Sequence, residues 1–152
     1  MCGILGIWGR NKTGTVQFDH IPKALAELNH RGPDHQAYKI HSNVALGHTR
    51  LSIIDLSENA NQPFSDETGN YHLVFNGEIY NYKEIREELV KTGVVFFTQS
   101  DTEVLLKLLI HKGEAGLQQL NGFFSFVFFV DAMIMSGWLA FNPPVFKGRQ
   151  TG

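Results

Sequence analysis

Apolar positions fall into short blocks whose spacing changes along the chain. Residues 3–9, Gly-Ile-Leu-Gly-Ile-Trp-Gly, alternate small and branched apolar side chains and read as a buried strand. Ile21, Leu25 and Leu28 then recur at helical spacing, which predicts a helix over Pro22–Asn29 with Asp19 as its cap. His30-Arg31-Gly32-Pro33-Asp34 interrupts the pattern as a loop. Val44–Arg50 and Leu51–Ile54 read as strand material, and the polar, turn-rich stretch Ser57–Asn70 as a loop. Tyr71–Phe75 predicts a strand that ends at Asn76-Gly77.

The second half carries clearer punctuation. Asn81, with Glu84 three residues later, resembles a capping box, Ile85 and Leu89 supply an apolar face, and Gly93 stops the helix. Val94–Thr98 reads as a short strand. Ser100-Asp101-Thr102-Glu103 is a full capping-box signal for a helix to about His111, and its leucines leave it apolar nearly all round, so it is expected to be buried. Phe123–Val130 is a strongly apolar strand. Strands at both ends with helices between them indicate an α+β domain, and the frequent short strands favour antiparallel pairing.

Composition narrows the function classes. A chain of 152 residues is one domain's worth of sequence, and its 12 phenylalanines give ample material for a core. The formal charge of −2, with acids and bases interspersed, offers no nucleic-acid footprint and no polybasic membrane patch. One cysteine, Cys2, cannot build a disulfide framework. The N-terminus lacks the basic and apolar regions of a signal peptide, and no apolar run reaches the ~18 residues of a membrane span. A soluble cytoplasmic protein that binds neither nucleic acid nor membrane is expected.

Four groups could carry chemistry. Removal of Met1 would leave Cys2 with its thiol and a free α-amine on one residue, the arrangement of an N-terminal nucleophile. The bland alternative is a cysteine at position 2 by accident. Asn76-Gly77 offers a side-chain amide beside a glycine N–H, two donors for a developing oxyanion, although Asn-Gly is also the commonest signal of a plain hairpin turn. Arg50 ends an otherwise apolar strand and could clamp a carboxylate in bidentate fashion. Asp101 could hold an ammonium group or simply cap its helix. One cation and one or two anions suit the α-carboxylate and α-amine of an amino acid. The seven histidines are scattered, with His30 and His35 across a loop, and give no zinc-like spacing, so no metal site is expected.

Taken in order, Met1-Cys2-Gly3-Ile4, His30-Arg31-Gly32-Pro33-Asp34, Gly47-His48-Thr49-Arg50-Leu51-Ser52-Ile53, Gln62-Pro63, Asn76-Gly77-Glu78-Ile79-Tyr80-Asn81, Ser100-Asp101-Thr102-Glu103 and Asn121-Gly122-Phe123 resemble the class II glutaminase domain of the glutamine-hydrolysing asparagine synthetase family. The resemblance implies an Ntn-hydrolase fold, a four-layer αββα sandwich with two antiparallel sheets. It implies Cys2 as nucleophile, Asn76 and Gly77 as the oxyanion hole, Arg50 on the glutamine carboxylate, and Glu78 and Asp101 on its α-amine. The reaction would turn glutamine into glutamate and ammonia through a glutamyl thioester and would need no cofactor. ATP and magnesium would belong only to the synthetase domain.

The resemblance covers residues 1–131 and stops near Asp131, and the divergent tail, residues 132–152, is expected to be out of frame or the end of a truncated gene. The sandwich would then be incomplete at its C-terminus, and a synthetase domain or subunit would be the missing partner. Two other readings compete: an amidotransferase of the same class with another ammonia acceptor, and an inactive fragment or docking module.

Overall fold

Strands with branched or aromatic side chains on both faces must be covered on both faces, and the chain folds accordingly. The structure, a computed structural model, describes residues 2–51 and 58–131. Strands β1 (Gly3–Trp8), β2 (His35–His41) and β3 (Val44–Arg50) form one antiparallel sheet in the order β1-β3-β2. Strands β4 (Phe64–Ser65), β5 (Tyr71–Ile79) and β6 (Gly122–Val130) form a second, in the order β4-β5-β6. The helices are α1 (Lys12–Thr15), α2 (Ile21–Glu27), α3 (Tyr82–Lys91) and α4 (Asp101–Lys112). Among the described residues, no helix is long and apolar enough to cross a membrane.

Side-chain alternation sorts the strands into layers. Leu5, Ile7 and Ala45 pack outward against Ile21 and Leu25 of α2. Ile4, Val44 and Leu46 face the other way and meet Val74 and Val127 of the second sheet. Leu73, Phe75, Phe126 and Phe128 turn to the far side and pack under Ile85 and Leu89 of α3 and Leu105 of α4. Helix, sheet, sheet and helices thus stack in four layers, the α+β architecture expected from the sequence.

Several local expectations are corrected. Asp19 does not cap α2; it sits inside a 3-10 turn, Val16–His20, and His20 takes the N-cap position without a side-chain hydrogen bond. Pro22 in the first turn removes one N–H that a cap would otherwise have to satisfy. Strand β2 went unseen because it is a largely exposed edge strand with little apolar alternation. Strand β5 does not end at Asn76-Gly77 but runs through it to Ile79, paired with β6 throughout. Asn81 makes no capping bond; its amide instead accepts from Asn121 N at 2.9 Å and donates to Gln119 O at 2.8 Å. Leu51 lies outside β3, and the rest of the strand expected to Ile54 falls outside the described residues, as do residues 132–152.

The expected strand Val94–Thr98 is absent for a reason of hydrogen bonding. The Glu103 carboxylate accepts from Phe97 N (2.9 and 3.2 Å), Thr98 N (2.6 Å) and Thr98 Oγ1 (2.7 Å), so donors that a ladder would use are already taken. Ser100 Oγ accepts from Glu103 N at 3.2 Å, the expected cap of α4. Every residue of α4 from Asp101 to Leu109 is buried. The lysine within this buried stretch, Lys107, is paired with Glu67 at 2.5 Å. Glu103→Gln would turn an amide NH2 toward these donors and leave at least one unsatisfied. The expected cost is about 2–3 kcal/mol, read as a lower denaturant midpoint with an unchanged m-value.

Candidate active site

The face of each sheet that looks into the sandwich is apolar only in the middle. On β3 the alternation that turns Val44 and Leu46 inward also brings in His48 and Arg50. On β5 the face of Val74 continues to Asn76 and Glu78, and on β1 the face of Ile4 reaches back to Cys2. These polar side chains therefore meet at one end of the inter-sheet layer, around a cleft of about 180 Å3. All six residues singled out in the sequence, Cys2, Arg50, Asn76, Gly77, Glu78 and Asp101, line it.

Cys2 is held at both main chain and side chain. Its carbonyl accepts from Arg31 Nε at 3.1 Å, and the next amide, Gly3 N, donates to Thr49 Oγ1 at 3.0 Å. Its Sγ accepts from Leu51 N at 3.4 Å and lies 3.7 Å from Leu51 O. The thiol is half-buried and free of any disulfide. The loop His30–Asp34 presses against the end of β3 beside it. Asp34 N donates to Arg50 O at 3.0 Å, and Pro33 bridges to Arg50. A Cβ on Gly32 would collide with the Thr49 and Arg50 main chain, so only glycine lets this loop close on the strand.

Arg50 is 8% exposed, and its Nη1 donates to Asn61 Oδ1 at 2.5 Å. Asn76 and Gly77 lie opposite Ser125 and Phe124 on β6. A Cβ on Gly77 would stand 2.6 Å from Phe124 Cα, so this strand pair needs glycine there. The sequence's turn reading of Asn-Gly fails because the pair is embedded in a ladder.

Asp101 and Glu78 converge on the same cleft from α4 and β5. Asp101 is 5% exposed and its Oδ2 accepts from Ile79 N at 3.3 Å. Burial raises its carboxyl from 3.8 to about 6 and the Glu78 charge adds to this, while main-chain N–H groups of Ile79, Thr102 and Asp101 itself pull it down. The folded state thus holds this proton more tightly than an unfolded chain. Asp101 costs the fold stability as pH rises from 3.8 to about 6.

Gln62, Thr102 and His48 also line the cleft and were given no role from the sequence. Gln62 is 6% exposed, accepts from Phe75 N at 2.6 Å and donates to Thr102 Oγ1 at 3.3 Å, tying β5 to α4. Thr102 is the other end of that tie. His48 is fully buried, and neither ring nitrogen completes a hydrogen bond among the described residues. Burial pushes it down to about 4, with Arg50 and His35 acting the same way and the Phe75 main chain opposing, so it is neutral at neutral pH. Period-two alternation from Arg50 would have found His48; Gln62 stands in the Gln62-Pro63 motif of the resemblance, but nothing in a polar loop shows its part in the cleft.

A thiol, a guanidinium and two carboxylates around one small cleft can hold a zwitterion and attack it. A family model described as "Glutamine amidotransferase domain" matches residues 1–136. Asparagine synthetase (glutamine-hydrolyzing) 1 of Bacillus subtilis is 43% identical over 129 residues, 84% of this chain and 20% of that protein. Amidase chry2 of Gibberella zeae is 40% identical over 111 residues, 72% of this chain and 16% of its own length. Among solved structures, glutamine phosphoribosylpyrophosphate amidotransferase of B. subtilis, complexed with ADP and GMP, aligns with a TM-score of 0.64 at 22% identity, over 86% of this chain and 35% of that one. That likeness speaks for the Ntn-hydrolase sandwich rather than for chemistry. The chain spans about one fifth of the length of the asparagine synthetases it matches. With the family model covering all but its last residues, the chain belongs to the glutamine amidotransferase family.

Proposed function

We propose that this domain hydrolyses glutamine to glutamate and ammonia, with Cys2 as an N-terminal nucleophile, and that the ammonia serves asparagine synthesis in a synthetase domain or subunit. The observation that carries the reading is the charge pattern of the cleft: Arg50 stands among the residues lining it with Glu78 and Asp101, and the Cys2 thiol opens onto the same space. An amino acid whose carboxylate pairs with Arg50 and whose ammonium lies between Glu78 and Asp101 presents its side chain to the sulfur. Burial of all but the ligand's reacting end strengthens each of these charge pairs.

The steps follow from the groups present. The α-amine freed by removal of Met1 takes the thiol proton as Cys2 Sγ bonds to the side-chain amide carbon. Negative charge then gathers on the amide oxygen, where the Asn76 side-chain amide and Gly77 N–H would donate to it. The C–N bond breaks, and the proton held by the α-amine leaves with ammonia. The glutamyl thioester that remains is opened by water, which gives its proton back to the amine and restores the thiol. No cofactor enters these steps; ATP and magnesium would act only in the synthetase half. The B. subtilis relative, 43% identical, favours asparagine synthesis as the destination of the ammonia.

Glutamate release from glutamine by the Met1-free protein, identified by intact mass, is the direct assay. It should vanish in Cys2→Ala while glutamine still raises that variant's melting temperature; turnover in Cys2→Ala would remove the thiol from the mechanism. Asp101 predicts a pH limb. Its carboxyl, raised to about 6, protonates as pH falls through that value and gives up its hold on the ammonium. The value of kcat/KM should therefore fall below pH 6 by up to roughly tenfold per unit. Asp101→Asn should lack that limb and lose about 10–100-fold in kcat/KM, the equivalent of one hydrogen bond to a charged group, mainly through KM. A kcat-only effect would assign Asp101 to the chemistry instead. Arg50→Gln should likewise raise KM, and restoring binding with a glutamine analogue lacking the α-carboxylate would be the matching signature.

A further inference from the structure

A second polar group closes the opposite end of the inter-sheet layer. His41 ends β2 opposite Val44, at the other end of the hairpin from Arg50. His72 lies near the start of β5, on the face that leads through Val74 to Asn76. Asp131 follows β6 directly, its N–H fixed on Asn70 O at 2.7 Å. One ligand atom from each of the three lies within 4.8 Å of the others. The two imidazoles stack with centroids 3.6 Å apart, and His41 Nδ1 is 3.9 Å from Asp131 Oδ2.

Simple packing does not account for this arrangement. His72 is 2% exposed, and Nε2 of both His41 and His72 is buried without a hydrogen-bond partner among the described residues. A buried ring nitrogen left unpaired is costly, so such atoms ask for a ligand. The other nitrogen of His72, Nδ1, is 2.8 Å from Ser65 Oγ, which also accepts from Lys39 Nζ at 3.1 Å. With Nδ1–H donated to this hydroxyl, the Nε2 lone pair of His72 is left pointing at nothing. An imidazole oriented by a partner on its second nitrogen is the usual form of a metal-bound histidine.

We propose that His41, His72 and Asp131 form a zinc site that clamps the two sheets together at the end remote from the cleft. Two imidazoles and a carboxylate with one open position match the zinc donor set, and the carboxylate balances part of the cation's charge against the Lys39 ammonium. Ligand atoms about 2.0–2.1 Å from a tetrahedral zinc stand closer together than the present group. The contraction falls to His41 and the half-exposed Asp131, while His72 stays fixed. The site joins β2 of one sheet to β5 and the end of β6 in the other, and it is independent of the glutamine reading.

The test uses the untagged full chain carrying Cys2→Ala, so that no N-terminal thiol competes for metal. Zinc chloride is titrated by equilibrium dialysis and by melting temperature, and cobalt(II) is substituted for its visible spectrum. One equivalent of zinc, a rising melting temperature and a tetrahedral cobalt spectrum without thiolate bands are expected. Asp131→Asn and His41→Gln should each weaken zinc by at least roughly tenfold with little change in the metal-free melt. Absence of zinc binding, or equal affinity in wild-type and variant backgrounds, would overturn the site and leave a packed histidine pair. Should His41→Gln fail to fold, Asp131→Asn decides alone, because its carboxylate is half-exposed.

Discussion

Everything in this fold depends on what the two sheets present to each other. Facing sheets stand about 10 Å apart, so each inward side chain must be satisfied by the opposite sheet or by a ligand. In the middle of the layer Leu46, Val74 and Val127 satisfy one another by apolar contact. At one end the same faces carry Cys2, His48, Arg50 and Asn76, which apolar packing cannot satisfy, and a cleft opens there. At the other end stand His41 and His72. Polarity at both ends of an apolar layer is what converts a packing problem into sites.

The cost of such an arrangement is visible in its charges. Arg50 and Asp101 are each more than nine-tenths buried, and isolated buried ions are expensive. Arg50 is partly compensated by Asn61, and Asp101 by the Ile79 N–H and the start of α4. The compensation of Asp101 is incomplete, because burial, with the Glu78 charge adding to it, holds its carboxyl at about 6. On the proposed function, an ammonium between the two carboxylates would complete the compensation. A substitution that neutralises Asp101 would add stability above pH 6, and on the proposed function it would do so at the expense of binding.

The sequence made the fold class and six residues of the cleft legible, the polar strand ends and the helix start through short-range signals. The capping box at Ser100 placed α4, and the alternation of β3 could be read straight through to Arg50. What it concealed depends on partners distant in sequence. Asn76-Gly77 has the chemistry of a turn, and only pairing with Ser125 and Phe124 makes it strand. Val94–Thr98 has the composition of a strand, and Glu103 captures its N–H groups first. His41, His72 and Asp131 come together only because the sheets stack, so no spacing rule for metal ligands could have found them.

Gln62 shows how the two halves of the cleft are kept in register. Its carbonyl takes the Phe75 N–H, one residue before Asn76, while its NH2 reaches Thr102, one residue after Asp101. A single buried amide therefore fixes the strand that carries Asn76 and Gly77 relative to the helix that carries Asp101. A shift of β5 along α4 would break at least one of these bonds and leave a buried polar group unpaired, a penalty above the bond's net strength. The cleft can be rigid at its floor even though the residues lining it come from both sheets and from α4, because its most separated parts are bolted through one side chain.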